Sequence, residues 1–99
     1  MSRWPRMFVV CYDIAHPKRL RKVYRTCRGY GEHLQYSVFR CVLSELRHAQ
    51  FQAELLQIVE AREDQVMFVD LGPAAVEGLD AFTSLGLPLD RPVANIRVV

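Results

Sequence analysis

A single carboxylate at the end of an apolar segment, Asp13, has the clearest chemical potential in this sequence. It follows residues 7–12 (Met-Phe-Val-Val-Cys-Tyr), a run rich in β-formers and too short for a helix, which predicts a strand buried on both faces. Functional groups gather beyond the carboxyl ends of strands, and a carboxylate there can hold Mg²⁺, which activates water and neutralises phosphodiester charge. Position alone favours a simpler role, that of a turn-forming or capping residue.

One carboxylate per chain is few for a Mg²⁺ site, because such sites generally recruit more oxygen ligands. The other acidic residues near predicted strand ends, Asp64 and Asp70, belong to no motif. A symmetric dimer brings two copies of one residue together at its axis. We therefore expect any site built on Asp13 to form between two subunits.

A strongly basic segment follows Asp13. Its apolar residues recur at helical spacing, at Leu20, Val23, Tyr24 and Cys27, and predict a helix with one apolar stripe. The opposite face carries six cations: Lys18, Arg19, Arg21, Lys22, Arg25 and Arg28. Such a face can bind several phosphates independently of base sequence and with a steep salt dependence. A solvated helix face without a ligand is the alternative.

The charge is unevenly distributed along the chain. Residues 1–40 carry nine Lys/Arg and two acids, a balance of +7, whereas residues 41–99 carry four Lys/Arg and nine acids, a balance of −5. The net charge of +2 conceals this asymmetry. It predicts a molecule with one basic side, which steers polyanions towards it.

The cysteines and histidines exclude several other functions. Cys11, Cys27 and Cys41 are widely spaced and form no Cys-x-x-Cys pair, so neither a disulfide framework nor a zinc site is expected, and buried reduced thiols are. His16 could shuttle a proton beside Asp13, although a surface loop position is the favoured interpretation. No apolar run approaches the ~20 residues of a membrane helix, and a signal peptide is absent, so a cytoplasmic protein is expected.

The order of predicted elements indicates the fold. Gly29 and Gly31 end the helix that begins at Pro17, and residues 33–43 form one bent strand or two short ones, with Leu34, Tyr36 and Val38 alternating against Gln35, Ser37 and Phe39. A second helix is capped by Ser44 and runs to about residue 62, and a strand follows at 66–71. A turn of helix at 74–80 and short strands at 81–85 and 93–99 complete the prediction.

This order predicts one α+β domain over residues 1–99, a ferredoxin-like βαββαβ sandwich with extra C-terminal strands. Residues 1–6 are an N-terminal extension, 7–71 the core, and 72–99 the strands expected to complete a dimer. Both helices cover one sheet face. Because a small domain seldom leaves an apolar sheet face in water, we expect a homodimer packed through the sheet faces.

The sequence also resembles a known family, the CRISPR-associated protein two family. The resemblance covers about residues 7–71 and rests on four features in order: Val-Val-Cys-Tyr-Asp-Ile at 9–14, a Lys/Arg-rich helix, Gly-Tyr-Gly-Glu at 29–32, and Gln-Tyr-Ser-Val-Phe at 35–39. The last two are the most specific. Members of this family are dimeric subunits that work with the CRISPR integrase in spacer acquisition.

The resemblance implies a homodimer with metal-dependent endonuclease activity on single-stranded RNA or double-stranded DNA. Asp13 takes the position of the catalytic, metal-binding aspartate, with one Mg²⁺ per dimer between its two copies, and Ser37, Val38 and Phe39 shape the dimer centre. The alternative implied role is a non-catalytic scaffold that holds prespacer DNA and bridges integrase dimers. The chain departs from the family at Ala15-His16-Pro17, where many members carry small or acidic polar residues.

Overall fold

The computed structural model describes residues 5–74 and 82–90, together with the backbone of 97–98. Its elements follow the predicted order of strand, helix, two strands, helix and strand, and then two very short strands. Their bounds are β1 Arg6–Asp13, α1 Pro17–Arg28, β2 Glu32–Gln35, β3 Val38–Leu43, α2 Glu45–Leu56, β4 Gln65–Pro73, β5 Thr83–Ser84 and β6 Arg97–Val98.

Four strands form one sheet in the order β2-β3-β1-β4, and all three pairings in it are antiparallel. Both helices pack on the same face, since residues of α1 and α2 share a core cluster with β1 and β3. This arrangement confirms the predicted ferredoxin-like fold. Strands β5 and β6 pair with each other in parallel, in a separate two-stranded sheet.

The central strand β1 alternates between the two sheet faces. Phe8, Val10 and Tyr12 are buried under the helices, whereas Val9 and Cys11 on the other face are only half-buried. The expectation that β1 is buried on both faces is therefore wrong for the single chain, because the helices cover only one of them. We call the uncovered side the open face. Apolar side chains that remain at least a third exposed there include Val42, Met67 and Val69.

Helix α1 has the predicted bounds because its two ends are well capped. The His16 side chain accepts a hydrogen bond from the Lys18 backbone N–H at 3.1 Å, and Pro17 occupies the first helical position, where no N–H is needed. At the other end, the Gly29 N–H bonds the carbonyl oxygens of the last turn. Val23 and Cys27 are the fully buried residues of its apolar stripe.

Helix α2 begins as predicted but ends earlier. The Ser44 side chain accepts from the Arg47 N–H at 3.2 Å, which confirms the N-cap. The helix ends at Leu56 rather than near residue 62. Ile58 and Val59 lie beyond it yet still pack against the core, so their apolar spacing extended the predicted helix too far.

The segment after α1 joins the helix to β3 by close contacts. The Tyr30 ring lies parallel to that of Phe51, with centroids 4.4 Å apart, and the Arg47 guanidinium covers the Tyr30 ring at 4.2 Å. Gly31 lies so close to β3 that a Cβ atom there would overlap Cys41 Sγ and the Arg40 carbonyl oxygen. The Gly-Tyr-Gly sequence thus connects α1 to the sheet and packs against both α2 and β3; we call it the Gly-Tyr-Gly joint.

The β-rich stretch 33–43 forms two strands, which settles the alternative left open by the sequence. Tyr36, with a φ of 40°, lies in the turn between β2 and β3. The pairing of β2 with β3 is irregular between His33 and Gln35. The alternation predicted across 34–39 is therefore interrupted, with Leu34 and Phe39 both in the buried class and Tyr36 exposed.

The segment 82–90 attaches to β2 through the Asp90 N–H, which donates to the Leu34 carbonyl at 2.8 Å. β5 and β6 fall within the strands predicted at 81–85 and 93–99. The turn of helix predicted at 74–80 lies outside the described residues except for Ala74. Within the part of the chain that the structure describes, no helix is long and apolar enough to cross a membrane.

Candidate metal and nucleic-acid site

Asp13 is exposed at the end of β1. By strand alternation its side chain belongs to the open face with Val9 and Cys11. Its neighbour Tyr12 belongs to the helix-covered face, and burial raises the pKa of the Tyr12 phenol to about 12. Asp13 is therefore the accessible carboxylate at this strand end.

A buried carboxylate anchors the turn that follows Asp13. The side chain of Asp64 is fully covered and accepts hydrogen bonds from the backbone N–H of Ala15 at 2.9 Å and of Glu60 at 2.8 Å. Arg19 Nε donates to the same carboxylate at 2.7 Å. The Arg19 guanidinium holds the pKa of Asp64 well below its usual range, and the two backbone donors act in the same direction.

Sequence reasoning missed this role of Asp64. It noted Asp64 only as an acid near a strand end. The contacts that link Asp64 to the candidate site, with Ala15 and Arg19, lie 45 or more positions away in the chain. The other acid set aside, Asp70, pairs with Arg6 at 2.8 Å. Both carboxylates are thus engaged by arginines.

The structure sets Arg19 apart from the other predicted phosphate-binding cations. Its guanidinium bonds Asp64 and lies 3.4 Å from a Glu63 carboxylate oxygen, and only 24% of its side chain is exposed. A cation held by two carboxylates is a weak phosphate ligand, since its charge is already compensated. Arg19 thus belongs to the anchor of the Asp13 turn and not to the basic face.

The other five cations of the predicted set are exposed, as expected. We call them the basic face of α1: Lys18, Arg21, Lys22, Arg25 and Arg28. Twelve residues of helix extend about 18 Å, which corresponds to about five phosphates at the axial spacing of one strand of B-DNA. The last turn carries Arg25 and Arg28, where cations also interact favourably with the helix dipole.

The three residues predicted at the dimer centre have different environments. Ser37 is half-buried and its carbonyl accepts from the Tyr12 N–H at 3.2 Å, so it lies beside the Asp13 end of β1. Phe39 is fully buried in the core, with its ring 6.2 Å from that of Tyr12 and 5.7 Å from that of Tyr24. The Phe39 side chain points under the helices and not to the open face, and its predicted place at the dimer centre stays a prediction. Val38, paired with Cys11, is the residue of this motif on the open face.

The remaining sequence candidates have structural roles. Cys27 and Cys41 are buried free thiols, and burial raises the pKa of each to about 12. Cys11 is also free and half-buried. His16 is the N-cap of α1, so its Nδ1 lone pair is engaged by the helix.

Asp13 of one chain fits a Mg²⁺ ion only together with further oxygen ligands that come from outside this chain. Among the described residues, no three His, Cys, Asp or Glu side chains are grouped closely enough to hold a metal. Mg²⁺ is commonly held by one or two carboxylates, with waters and substrate phosphates as the other ligands. An exposed Asp13 from each of two chains would supply such a pair.

Comparisons with known proteins agree with this fold. Residues 6–77 match the family model described as CRISPR associated protein Cas2. The chain is 45% identical over 80 residues to "CRISPR-associated endoribonuclease Cas2 1" of Rhodospirillum rubrum, covering 80% of this chain and 76% of the relative. It is 32% identical over 92 residues to "CRISPR-associated endoribonuclease Cas2 3" of Synechocystis sp., covering 93% and 98% of the two chains.

A solved structure extends the likeness to three dimensions. The crystal structure of Streptococcus pyogenes Cas2 superposes with a TM-score of 0.63 at 35% sequence identity, covering 67% of this chain and 86% of that one. The fold, the Gly-Tyr-Gly joint and the Asp13 strand end all lie within the residues that the family model matches. The chain belongs to the CRISPR-associated protein Cas2 family.

Proposed function

We propose that this chain is a cytoplasmic, homodimeric, Mg²⁺-dependent endonuclease that works in CRISPR spacer acquisition and cleaves RNA or DNA phosphodiester bonds. Relatives of this chain are named CRISPR-associated endoribonucleases, which supports the reaction class. The observation that carries the proposal is the position of Asp13, an exposed carboxylate on the same sheet face as an uncovered apolar surface. Packing of two chains through this face would then bury the apolar surface and bring two Asp13 residues together.

The open face supports the homodimer. Met67 is 51% exposed and pairs with Cys11, and Val69 is 38% exposed and pairs with Val9. These side chains adjoin one another across two neighbouring strands, so they form a continuous apolar surface and not isolated exposed residues. A surface of this kind is typical of protein interfaces. A second copy placed about a two-fold axis would cover it with the same residues.

Charge placed on the open face tests the homodimer. Met67→Asp would bury a carboxylate in the interface, so we expect a monomer by light scattering at micromolar concentration, where the unmodified chain is a dimer. Leu46→Asp is the matched control, because Leu46 is 67% exposed but lies on α2. A monomeric unmodified chain, or dimers that both variants leave intact, would rule out this interface.

The proposed chemistry divides among the residues already described. Two Asp13 carboxylates would hold the Mg²⁺, which when bound neutralises charge on the phosphodiester. The basic face of α1 would bind the strand on either side of the cleaved bond. The Asp64 anchor, through Ala15, would fix the backbone that carries Asp13 towards the substrate.

Removal of the carboxylate tests the catalytic role. Asp13→Ala is expected to abolish Mg²⁺-dependent cleavage of a single-stranded RNA and a double-stranded DNA and to leave the dimer intact. Asp13→Asn keeps the size of the side chain and removes its charge, so it should be equally inactive. Cleavage by either variant at the rate of the unmodified chain would refute the assignment.

A non-catalytic scaffold is the second candidate function, and the basic face of α1 favours it. Five exposed cations on one helix suit sequence-independent binding of prespacer DNA between integrase dimers. In this case Asp13→Ala would leave spacer integration unchanged, whereas Arg21→Glu combined with Arg25→Glu would abolish it. Loss of integration with Asp13→Ala alone would instead require the carboxylate and exclude a purely structural role.

A further inference from the structure

The turn between β2 and β3 presents an aromatic ring to solvent. Tyr36 is 89% exposed, more than any other large hydrophobic side chain in the described part of the chain. Its φ of 40° is also the one positive value among the described residues other than glycine. Bulky side chains adopt this left-handed conformation rarely, because Cβ crowds the following carbonyl. Residues held in such conformations cluster at functional sites.

The conformation of this turn is fixed by long-range contacts. His33 Nε2 lies 2.7 Å from the Tyr36 carbonyl oxygen, which can only accept, so the ring nitrogen donates. His33 Nδ1 lies 2.9 Å from the Asp90 carboxylate, and the Asp90 N–H donates to Leu34. Strand β2, segment 82–90 and the turn therefore brace one another, and the Tyr36 ring is presented from a rigid backbone.

The β2–β3 turn lies at the same end of the sheet as Asp13. Pairing of β1 with β3 runs to Cys11 opposite Val38 and continues through the bond from the Tyr12 N–H to the Ser37 carbonyl. Tyr36 is the next residue of this turn, and Asp13 is the last residue of β1. The two residues therefore lie at the same end of the sheet.

We propose that Tyr36 is a stacking platform for an unpaired nucleobase of a strand that passes over the end of the sheet where Asp13 lies. This inference rests on the proposed function, and it names the substrate class as a single-stranded segment. Every base offers a π-face, so stacking on one tyrosine tolerates any sequence. In a duplex both faces of a base are already stacked, which leaves the ring without a partner.

Binding measurements test the platform. Fluorescence anisotropy in EDTA, which prevents cleavage, gives dissociation constants for a labelled 12-nucleotide single strand and for a blunt duplex of the same sequence. Tyr36→Leu keeps an apolar side chain without a π-face, and Tyr36→Phe keeps the ring. We expect Tyr36→Leu to weaken single-strand binding about 5- to 150-fold, the range for loss of one stacked base, with duplex binding unchanged and Tyr36→Phe near the unmodified value.

A 2-aminopurine probe in the single strand reports stacking directly, because its fluorescence falls when it stacks. Quenching should persist with Tyr36→Phe and with the surface control Leu46→Ala, and should be lost with Tyr36→Leu. Equal loss of single-strand and duplex affinity, unchanged single-strand affinity, or dissociation of the Tyr36→Leu dimer in light scattering would each overturn the platform. An unmodified chain that binds neither nucleic acid would instead refute the proposed function itself.

Discussion

Alanine at Gly31 is expected to destabilise the fold, because this glycine touches β3. A methyl group there would overlap the Cys41 sulfur and the Arg40 carbonyl oxygen, and it would lie 3.0 Å from Cys41 Cα. A side chain can rotate away from such a clash, but β3 is hydrogen-bonded to β1 on one side and to β2 on the other. Its backbone therefore cannot retreat without breaking the sheet.

The size of the effect follows from two opposing terms. Overpacking a rigid core costs about 1–3 kcal/mol, and the backbone clash puts Gly31→Ala at about 3. Loss of glycine flexibility in the unfolded chain offsets about 0.4–1 kcal/mol of this. The net loss of about 2 kcal/mol lowers the ratio of folded to unfolded protein about 30-fold. It corresponds to a fall in Tm of about 8–16 °C for a domain of this size.

Gly29→Ala is the matched control. Gly29 has helical dihedrals, with a φ of −74°. An added Cβ would meet the Thr26 carbonyl oxygen at 3.3 Å and the Arg25 carbonyl oxygen at 3.9 Å. Its stability should change by less than about 1 kcal/mol. Urea unfolding of both variants compares them directly. The two are measured at one protein concentration, because the proposed dimer would make stability depend on concentration.

Two results would refute this reasoning. Equal urea midpoints for the two alanine variants would mean that Gly31 does not need its close approach to β3. A double variant with Cys41→Ala removes the sulfur from the clash but leaves the Arg40 carbonyl, so it should recover part of the stability lost on Gly31→Ala. If the stability losses of Gly31→Ala and Cys41→Ala simply add up in the double variant, the two residues are not in contact.

Three further predictions concern the basic face, the Asp64 anchor and Phe39. Arg25→Glu should weaken nucleic-acid binding and reduce the slope of log K against log salt by at least about 1 unit. Arg62→Glu makes an equal charge change at the exposed α2–β4 connection and should have neither effect. Equal effects of the two variants would mean that only net charge matters. The folded-state pKa of Asp64 lies below its unfolded value, so the stability it contributes is present above about pH 4 and is lost as pH falls further. Urea midpoints measured from pH 5 to pH 2 should therefore fall less steeply for Asp64→Asn than for the unmodified chain, and parallel slopes would contradict the anchor. Phe39→Ala should lower the free energy of unfolding by about 3–5 kcal/mol, as for other buried phenylalanines. Dissociation of the dimer without loss of stability in the monomer would instead assign Phe39 to the interface.

The sequence predicted the elements whose signals are local. Asp13 closes an apolar strand, Pro17 and Gly29 bound α1, and Ser44 caps α2, and each of these depends on a few neighbouring residues. The side on which Phe39 points could not be predicted in the same way. A two-residue turn at Tyr36 and Ser37 interrupts the alternation, and a shift of one residue moves every following side chain to the other face.

The role of Arg19 depends on a long-range ion pair, which no local sequence pattern reveals. In the sequence it is one of six cations on a helix, and its spacing gives no reason to separate it from Arg21 or Lys22. Its partner Asp64 is 45 residues away and becomes a neighbour only when β4 returns beside β1. A charged residue is therefore assigned to a binding face with confidence only after its long-range ion pairs are known.

Asp64 also explains why the departure from the family at Ala15-His16-Pro17 matters little. Side chains with oxygen atoms are replaced there, which at first weakens the case for a working site at Asp13. In the structure, however, Ala15 contributes its backbone N–H to Asp64, and any residue except proline provides that donor. His16 supplies the cap and Pro17 the first turn of α1. The substituted side chains thus leave intact the backbone anchor that positions Asp13, and a catalytic test of Asp13 in this chain is a fair test of the site.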